Sequence, residues 1–237
     1  MRFSQKSALT GIIFIIVLST AFPLTSRPIR SLLGMFKGWR LPYDAEVEYL
    51  ESTGTQWIDT GVLGNPEFSY RLDGLSTKDG TMGIFGFGGA LWLSNMRGLY
   101  QFNSQYSYYE WETDKSFKSG ASTGLRRVVL EIVGSNMIIN GETVIVGINN
   151  PPITERRNIG LFTVLRRVGE SNLAPTNNAS FRCYRFSISL DGVHVLDFIP
   201  VRFANEQGIS EGAMYDKVSG ELFRNQGTGK FIIGPDK

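Results

Sequence analysis

Residues 180–201 read SFRCYRFSISLDGVHVLDFIPV, two β-rich runs on either side of Asp191-Gly192. Asp-Gly supplies the positive φ angles that a two-residue type I′ turn requires, so the stretch predicts a β-hairpin. In the first run, alternate large side chains are expected to share the core-facing side: Tyr184, Phe186, Ile188 and Leu190. Arg182 breaks this pattern near the start of the run. The opposite side of the hairpin is expected to be at least partly solvated.

The same signals continue through residues 41–237. Asn140-Gly141 lies between NMII and ETVIV and predicts a second hairpin. Short runs rich in β-branched and aromatic residues are separated by Gly, Asn, Asp or Ser, which is typical of an all-β sandwich or barrel. The predicted strands are Ala45–Leu50, Gln56–Val62, Phe68–Leu75, Thr81–Phe87, Ala90–Ser94, Gly98–Asn103, Tyr106–Glu112, Leu125–Val133, Asn136–Asn140, Thr143–Val146, Ile159–Arg166, Phe181–Leu190, Val193–Arg202, Ala213–Asp216, Glu221–Arg224 and Phe231–Ile233. Gly169–Ala179 (GESNLAPTNNA) predicts a surface loop.

The charge is distributed unevenly along the chain. Residues 1–40 contain six Lys or Arg and no acid, whereas residues 41–237 contain 18 bases and 22 acids, a net charge of −4. A nucleic-acid-binding domain is expected to be basic on its folded part, so no nucleic-acid partner is predicted. One His and one Cys in 237 residues argue against a disulfide scaffold and a multi-ligand zinc site.

The first forty residues have the pattern of a targeting segment. Leu9–Leu18 (LTGIIFIIVL) is apolar, follows a short basic start, and precedes small residues at Ser19 and Ala21. This order predicts a secretory signal peptide over residues 1–21, followed by a basic linker over 22–40 and a folded domain over 41–237. The domain is then secreted or displayed at the cell surface. Retention of residues 8–24 as a membrane anchor stays an open alternative.

The single cysteine and the single histidine lie in the same predicted hairpin. With the turn at Asp191-Gly192, Ser189 faces His194, and Cys183 lies roughly 20 Å further along at about 3.4 Å per residue. A Cys–His nucleophile pair therefore cannot form in this hairpin, and no nucleophile-elbow sequence supports a Ser–His–Asp triad.

Aromatic residues cluster in SQYSYYEWETD, residues 104–114, close to acids and amides. The apolar face of a sugar ring packs on an aromatic plane while its hydroxyl groups bind polar side chains, so this region predicts carbohydrate binding. An aromatic run that packs into the core on one strand face is the alternative. The candidate binding residues are Trp92, Asn95, Asn103, Tyr106, Tyr108, Tyr109, Glu110, Trp111 and Glu112.

Pairs of carboxylates at i and i+2 on a strand have the spacing that glycoside hydrolysis needs. Glu110 with Glu112, or Glu112 with Asp114, would supply such a pair. Asp44, Glu46 and Glu48 alternate with apolar residues and are better explained as an outer strand face. Other acids follow no calcium-loop spacing, so no cofactor is predicted, and calcium stays an open alternative.

Both ends of the domain resemble a known family. The motifs are VEYLESTGTQWIDTGV (residues 47–62), VLDFIPVR (195–202) and AMYDKVSGELFRNQGTGKFIIGPDK (213–237). They resemble the laminin-G-like, concanavalin A-like jelly-roll domains of gut-bacterial surface proteins and their phages. The resemblance implies two stacked antiparallel sheets in which the first and last strands are neighbours.

The resemblance leaves three functions open, because this sandwich carries lectins, structural proteins and glucanases. Its glucanase branch carries a Glu-x-Asp-x-x-Glu strand, whereas here Glu112-Thr113-Asp114 is followed by Phe117 in place of the third acid. The favoured hypothesis is a non-catalytic exported or cell-surface module that binds a glycan or another surface protein. A glycoside hydrolase and a structural or adhesive surface or virion component are the alternatives. Trp57, Asp59, Tyr215 and Asp216, in the terminal motifs, are interpreted as architecture.

Overall fold

A computed structural model describes residues 41–88, 96–112, 115–122, 125–146, 156–168 and 172–237. For residues 96, 109–112, 115–122, 167–168 and 172–173 it describes the backbone alone. The chain divides into two units, Met1–Leu41 and Pro42–Lys237, and the second contains all the structure discussed below. No helix within the described ranges is long and apolar enough to cross a membrane.

The described residues are all-β, as the sequence predicts. Nineteen strands are present: β1 (Ala45–Glu46), β2 (Leu50–Thr53), β3 (Ile58–Leu63), β4 (Ser69–Ser76), β5 (Met82–Gly88), β6 (Met96–Phe102), β7 (Gln105–Glu112), β8 (Lys115–Ser122), β9 (Val128–Val133), β10 (Asn136–Ile139), β11 (Glu142–Val146), β12 (Asn158–Leu161), β13 (Val164–Val168), β14 (Asn172–Thr176), β15 (Ser180–Leu190), β16 (Val193–Ala204), β17 (Ser210–Asp216), β18 (Leu222–Phe223) and β19 (Ile232–Ile233).

The strands form two sheets. The larger sheet has eleven strands, with the order β11-β10-β9-β4-β15-β16-β17-β18 and with β1, β2 and β19 beside β15 and β16. The smaller sheet has eight, with the order β14-β13-β5-β6-β7-β8 and with β3 and β12 beside β5. One hydrophobic core takes residues from both sheets, and the rings of Phe85 and Phe186 lie 5.1 Å apart within it. The architecture is therefore β-sandwich-like.

Both predicted hairpin turns are confirmed. Asn140 and Gly141 have φ angles of 52° and 86°, and Asp191 and Gly192 have φ angles of 50° and 78°. In the second hairpin Ser189 pairs with His194, as the turn type requires. A third turn of this kind, at Asn103-Ser104, joins β6 to β7 with φ angles of 45° and 64°.

A β-bulge in β15 makes the alternation of its side chains differ from the prediction. The register shifts between Cys183 and Arg185, so Tyr184 does not share the core face of Phe186 and Ile188. Phe181 and Cys183 are fully buried before the bulge, and Tyr184 is only half-buried. One extra residue on a strand switches the face on which the following side chains lie.

Three further parts of the strand assignment differ from the predictions. Strand β14 lies inside Gly169–Ala179, which was expected to be a loop, because it pairs along β13 over five residues despite its Pro and Asn content. Strand β8 is polar and has no predicted counterpart. Ile159–Arg166 is two strands, because Phe162 takes a positive φ of 65° between them. The strand predicted at Ala90–Ser94 lies outside the described residues.

Segments near the two ends of the domain pair with each other. Strands β2 and β19 pair, and the antiparallel contact continues to Lys237, whose N–H donates to the Glu46 carbonyl at 2.9 Å. Gln56 Oε1 accepts from the Thr53 N–H at 2.8 Å, and its Nε2 donates to the Thr228 carbonyl at 3.2 Å. The last strand, β19, is thus a neighbour of β2, near the start of the domain.

Candidate functional site

The aromatic residues of β7 alternate between the two faces of the smaller sheet. Tyr106 and Tyr108 are 1% and 2% exposed and belong to the common core, together with Leu99 of β6. Tyr106 also has its hydroxyl 3.2 Å from Ser76 Oγ. A stacking platform needs a ring face that solvent reaches, so these two tyrosines are better explained as core residues than as ligand contacts.

The other positions of β6 and β7 fall on the opposite side of the smaller sheet, which we call the outer face. The cross-strand pairs Gly98↔Tyr109 and Tyr100↔Ser107 place neighbouring positions there. Positions of β5 and β13 join it through Gly86↔Gly98 and Arg166↔Gly88. The outer face comprises Gly83, Gly86, Gly88, Met96, Gly98, Tyr100, Phe102, Gln105, Ser107, Tyr109, Trp111, Val164 and Arg166.

These positions have an unusual composition for a strand surface. Four are aromatic, four are glycine and one is basic. Asp59 of β3 lies on the same side of the sheet, because it pairs with Gly160, which pairs with Gly86. The rings of Tyr100 and Phe102 stack at 5.9 Å with 24° between their planes, and Val164 packs with them. Ser107 lies between aromatic positions, and its buried Oγ has no hydrogen-bond partner among the described residues. Tyr100 is only 3% exposed and Ser107 and Val164 are fully buried, whereas Phe102 is half-buried.

Gly86 lies where β5 and β6 approach each other closely. Gly86 has a φ of 147°, which L side chains rarely adopt, and it lies opposite Gly98 on the neighbouring strand. A Cβ added to Gly86 would lie 2.5 Å from the Gly98 Cα and would also collide with the Arg97 carbonyl oxygen. Strands β5 and β6 therefore approach each other here in a way that only glycine permits.

Two arginines of the smaller sheet are deeply buried on opposite faces. Arg97 is 4% exposed, and its core-side position pairs with Glu110 across β6 and β7. Arg166 is 6% exposed, and its position on β13 pairs with Gly88 of β5. Met96 of β6 and Trp111 of β7 pair with each other further along the same side of the sheet. Both arginines also interact within the chain.

The remaining predicted site residues have different locations. Asn103 is exposed at the β6–β7 turn, where its positive φ explains the choice of Asn. Tyr109, Glu110, Trp111 and Glu112 are described by backbone alone, with positions 109 and 111 on the outer face and position 110 on the core side. Glu112 lies beyond a register irregularity between β7 and β8. Trp92, Asn95 and Asp114 lie outside the described residues.

The outer side of the larger sheet has arginine–carboxylate pairs beside an apolar cluster that includes Tyr43, Phe203 and Tyr215. Its four strand arginines all bind carboxylates: Arg71 with Glu131, Arg182 with Glu51, Arg185 with Asp197, and Arg202 with Asp236. Two tyrosines on this side are covered by guanidinium groups, Tyr49 by Arg182 at 4.5 Å and Tyr184 by Arg127 at 3.7 Å. Hydrogen bonds to the carboxylates raise the pKa of Arg127, Arg182 and Arg185 above the ordinary arginine value.

Asp216 of the closing motif is buried and anchors a turn. Its carboxylate accepts hydrogen bonds from the backbone N–H groups of Asp197, Val218 and Ser219 at 2.8, 3.1 and 3.0 Å. Asp59 accepts from the Gly61 N–H at 2.8 Å and from Asn158 Nδ2 at 3.1 Å. Such contacts satisfy backbone donors and fix loops, so both acids have structural roles.

The other terminal-motif residues also make contacts within the fold. The Trp57 backbone bonds to Asn225 and Gln226, at 3.2 and 2.8 Å, and Tyr215 packs edge-on against Tyr43 at 4.9 Å.

Cys183 and His194 do not form a catalytic pair. Cys183 is fully buried, pairs with Leu50 and Gly74, and has its thiol pKa raised by burial. His194 Nδ1 lies 2.9 Å from Ser189 Oγ, in an exposed contact at the hairpin end. In the part of the chain that is described, no three His, Cys, Asp or Glu side chains could hold a metal ion.

No family model matches the chain, and no curated protein matches it either.

Sequence reasoning missed Tyr100, Phe102, Arg166 and the glycines of the outer face. The signal was present in MRGLYQF, where Gly98, Tyr100 and Phe102 alternate with Arg97, Leu99 and Gln101. Because both series contain large side chains, alternation alone does not tell which of them faces the core.

Proposed function

We propose that residues 41–237 form a concanavalin A-like jelly-roll domain that is exported or displayed at the cell surface and binds carbohydrate without cleaving it. The pairing of β2 with the last strand, β19, and the two-sheet core support the fold type. The basic and apolar leader in residues 1–21 supports export.

The observation that carries the binding function is the alternation of β7. Burial of Tyr106 and Tyr108 indicates that positions 109 and 111 lie on the outer face, on the same side of the sheet as the half-buried Phe102. Sugar rings bind to aromatic planes with nearby polar groups, and the outer face combines aromatic, glycine and Ser or Gln positions. Tyr109 and Trp111 are the stacking residues in this proposal.

The same alternation favours binding over hydrolysis. Position 110 lies on the core side opposite Arg97, whereas the aromatic positions that would hold a sugar lie on the outer face. A glycosidase needs two carboxylates flanking the bond to be cleaved. Glu110 would therefore be on the wrong side of the sheet for a ligand held by Tyr109 and Trp111.

A binding screen of the full chain against oligosaccharides and polysaccharides tests the proposal, with and without calcium. The same mixtures are assayed for released reducing ends. We expect saturable binding without sugar release, at least tenfold weaker for Trp111→Ala and nearly preserved for Trp111→Phe, which keeps an aromatic plane. Sugar release that Glu112→Gln abolishes would establish a hydrolase instead. Absence of both binding and release would overturn the proposal in favour of a structural or protein-binding role.

A further inference from the structure

Phe162, between β12 and β13, has a backbone conformation that large residues rarely adopt. Its φ angle is 65°, in the left-handed region, where a bulky side chain is a strained exception. Leu161 and Phe162 are adjacent and both belong to the common core, which regular strand alternation does not allow. Val164, two residues further on, packs with Tyr100 on the outer face. The positive φ at Phe162 thus lets this turn contribute side chains to both faces of the smaller sheet.

Phe231, in the closing segment of residues 221–237, packs against this strained residue from the core. The two rings lie 5.0 Å apart, Phe162 is fully buried and Phe231 is 5% exposed. Two backbone hydrogen bonds also hold the turn. The Phe162 N–H donates to the Ile84 carbonyl at 2.7 Å, and the Phe162 carbonyl accepts from the Ala179 N–H at 2.8 Å. A strained backbone persists only where surrounding contacts hold it, and Phe231 provides such a contact from the far end of the chain.

Val164 occupies a niche that glycines leave on the outer face. A Cβ added to Gly83 would lie 2.9 Å from Val164 Cγ2, and one added to Gly98 would lie 3.2 Å from the same atom. Gly98 pairs with Tyr109, one of the two stacking positions in the proposed function. Because Val164 lies against the backbone next to position 109, it borders the proposed ligand site.

From these contacts we infer that Phe162 is a positioning residue, held by Phe231, that seats Val164 beside the proposed ligand site. The closing segment then influences ligand affinity although its strands, β18 and β19, belong to the larger sheet. The link to affinity rests on the proposed carbohydrate-binding function. The link between Phe231 and the turn stands on the contacts within the chain alone.

Two variants of the closing segment test the link between Phe231 and the turn. Phe231→Leu removes the ring that contacts Phe162, and Phe223→Leu removes a ring of the same segment that packs on the larger sheet. Hydrogen exchange of the full chain is measured by NMR at the Ala179 amide, relative to the Leu130 amide, which lies between β4 and β10. We expect this exchange ratio to rise about fivefold or more in Phe231→Leu and less than about twofold in Phe223→Leu. Equal rises would show that Phe231 only fills the core and would overturn the inference.

Substitution of Phe162 tests whether its backbone conformation matters. Phe162→Gly and Phe162→Ala both remove the ring, but only glycine takes a positive φ without strain. We expect the exchange ratio of Ala179 to Leu130 to be about fivefold lower in Phe162→Gly than in Phe162→Ala. Equal ratios would overturn the inference, because the left-handed backbone would then have no role in holding the turn. This pair decides the question even if Phe231→Leu does not fold.

Polysaccharide affinity tests the link to the ligand site. Binding of xylan, laminarin, galactomannan and pectin is measured for the full chain and for both closing-segment variants. For each polysaccharide that the unsubstituted chain binds, we expect Phe231→Leu to weaken binding about fivefold and Phe223→Leu to change it less than about twofold.

The remaining outcomes separate the inference from the proposed function. If the exchange ratio rises in Phe231→Leu while the affinity is unchanged, the turn does not border the ligand site, so the inference is overturned and the proposed function survives. If the unsubstituted chain binds none of these polysaccharides and no glycan in the wider screen, the proposed function and the affinity link fail together. The exchange ratios then still decide whether Phe231 holds the turn at Phe162.

Discussion

The two sheets share one core but differ on the sides that face away from it. On the larger sheet, arginines and carboxylates bind each other and guanidinium groups cover the rings of Tyr49 and Tyr184. On the smaller sheet, the outer positions of β5, β6 and β7 are mostly aromatic or glycine, and Asp59 of β3 lies on the same side through Gly160. Charges that are already paired within the chain have little left to offer a ligand. The two sides therefore differ in composition, and the proposed ligand contacts, Tyr109 and Trp111, belong to the smaller sheet.

Asp216→Ala tests the claim that acids of the larger sheet serve the fold. Three backbone donors lose a buried carboxylate, so we expect the free energy of unfolding to fall by about 3 to 5 kcal/mol. Urea denaturation of the full chain measures this change. Glu221→Ala removes an exposed acid from the same turn and should change the free energy of unfolding by less than about 0.5 kcal/mol. A loss below about 1 kcal/mol for Asp216→Ala would show that the motif is not structural.

Gly86→Ala tests the close approach of β5 and β6 beneath the outer face. Gly80 has nearly the same φ as Gly86, 145° against 147°, but no described atom lies within 4 Å of a Cβ added there. Gly80→Ala therefore reports backbone strain alone. We expect Gly86→Ala to destabilise the protein by about 2 kcal/mol more than Gly80→Ala, because the added methyl group meets backbone atoms. Equal losses in thermal or urea unfolding would contradict this packing.

Double-mutant cycles can rank the ion pairs of the larger sheet. Asp197 is buried and is held by Arg185 through two hydrogen bonds of 2.9 and 2.8 Å, whereas Arg71 and Glu131 are more exposed. We expect a coupling energy of about 1 to 2 kcal/mol for Arg185 with Asp197 and below about 1 kcal/mol for Arg71 with Glu131. A larger coupling energy for Arg71 with Glu131 than for Arg185 with Asp197 would mean that burial does not determine how much each ion pair stabilises the fold.

The smallest effect on stability is expected from the protonation of Asp236 at low pH. Hydrogen bonds from Arg202 lower the pKa of Asp236 below the ordinary carboxyl value. A lowered pKa in the folded state gives stability that is present at neutral pH and is lost as the pH falls below about 4. Asp236→Asn should therefore lower the melting temperature slightly at pH 7 and have less effect at pH 3. A difference that grows on acidification would contradict the assignment.

Much of the fold follows from the sequence. Asp191-Gly192 and Asn140-Gly141 predict their turns because few dipeptides accept two consecutive positive φ angles. The bulge at Tyr184 has no such local signal, since it depends on how β15 fits against β4. Strand β14 was also missed, because pairing with β13 overrides the turn preference of Asn and Pro.

The candidate site could be predicted only in part. The aromatic run of β7 located the region, but burial of Tyr106 and Tyr108 shows that half of its alternating series belongs to the core. Arg166 could not be identified, because its place on the outer face depends on parallel pairing of β13 with β5, two segments far apart in the chain. Sequence patterns report alternation within a strand, whereas the face that becomes the core is decided by the other sheet.

The most direct test compares one aromatic residue from each sheet. Trp111→Ala and Tyr184→Ala are measured side by side for glycan affinity and for urea unfolding of the full chain. The account predicts that Trp111→Ala weakens binding at least tenfold, while Tyr184→Ala, which removes the ring under Arg127, leaves the affinity within about twofold. Glycan binding that is lost in Tyr184→Ala and retained in a folded Trp111→Ala would contradict the assignment of the ligand face to the smaller sheet.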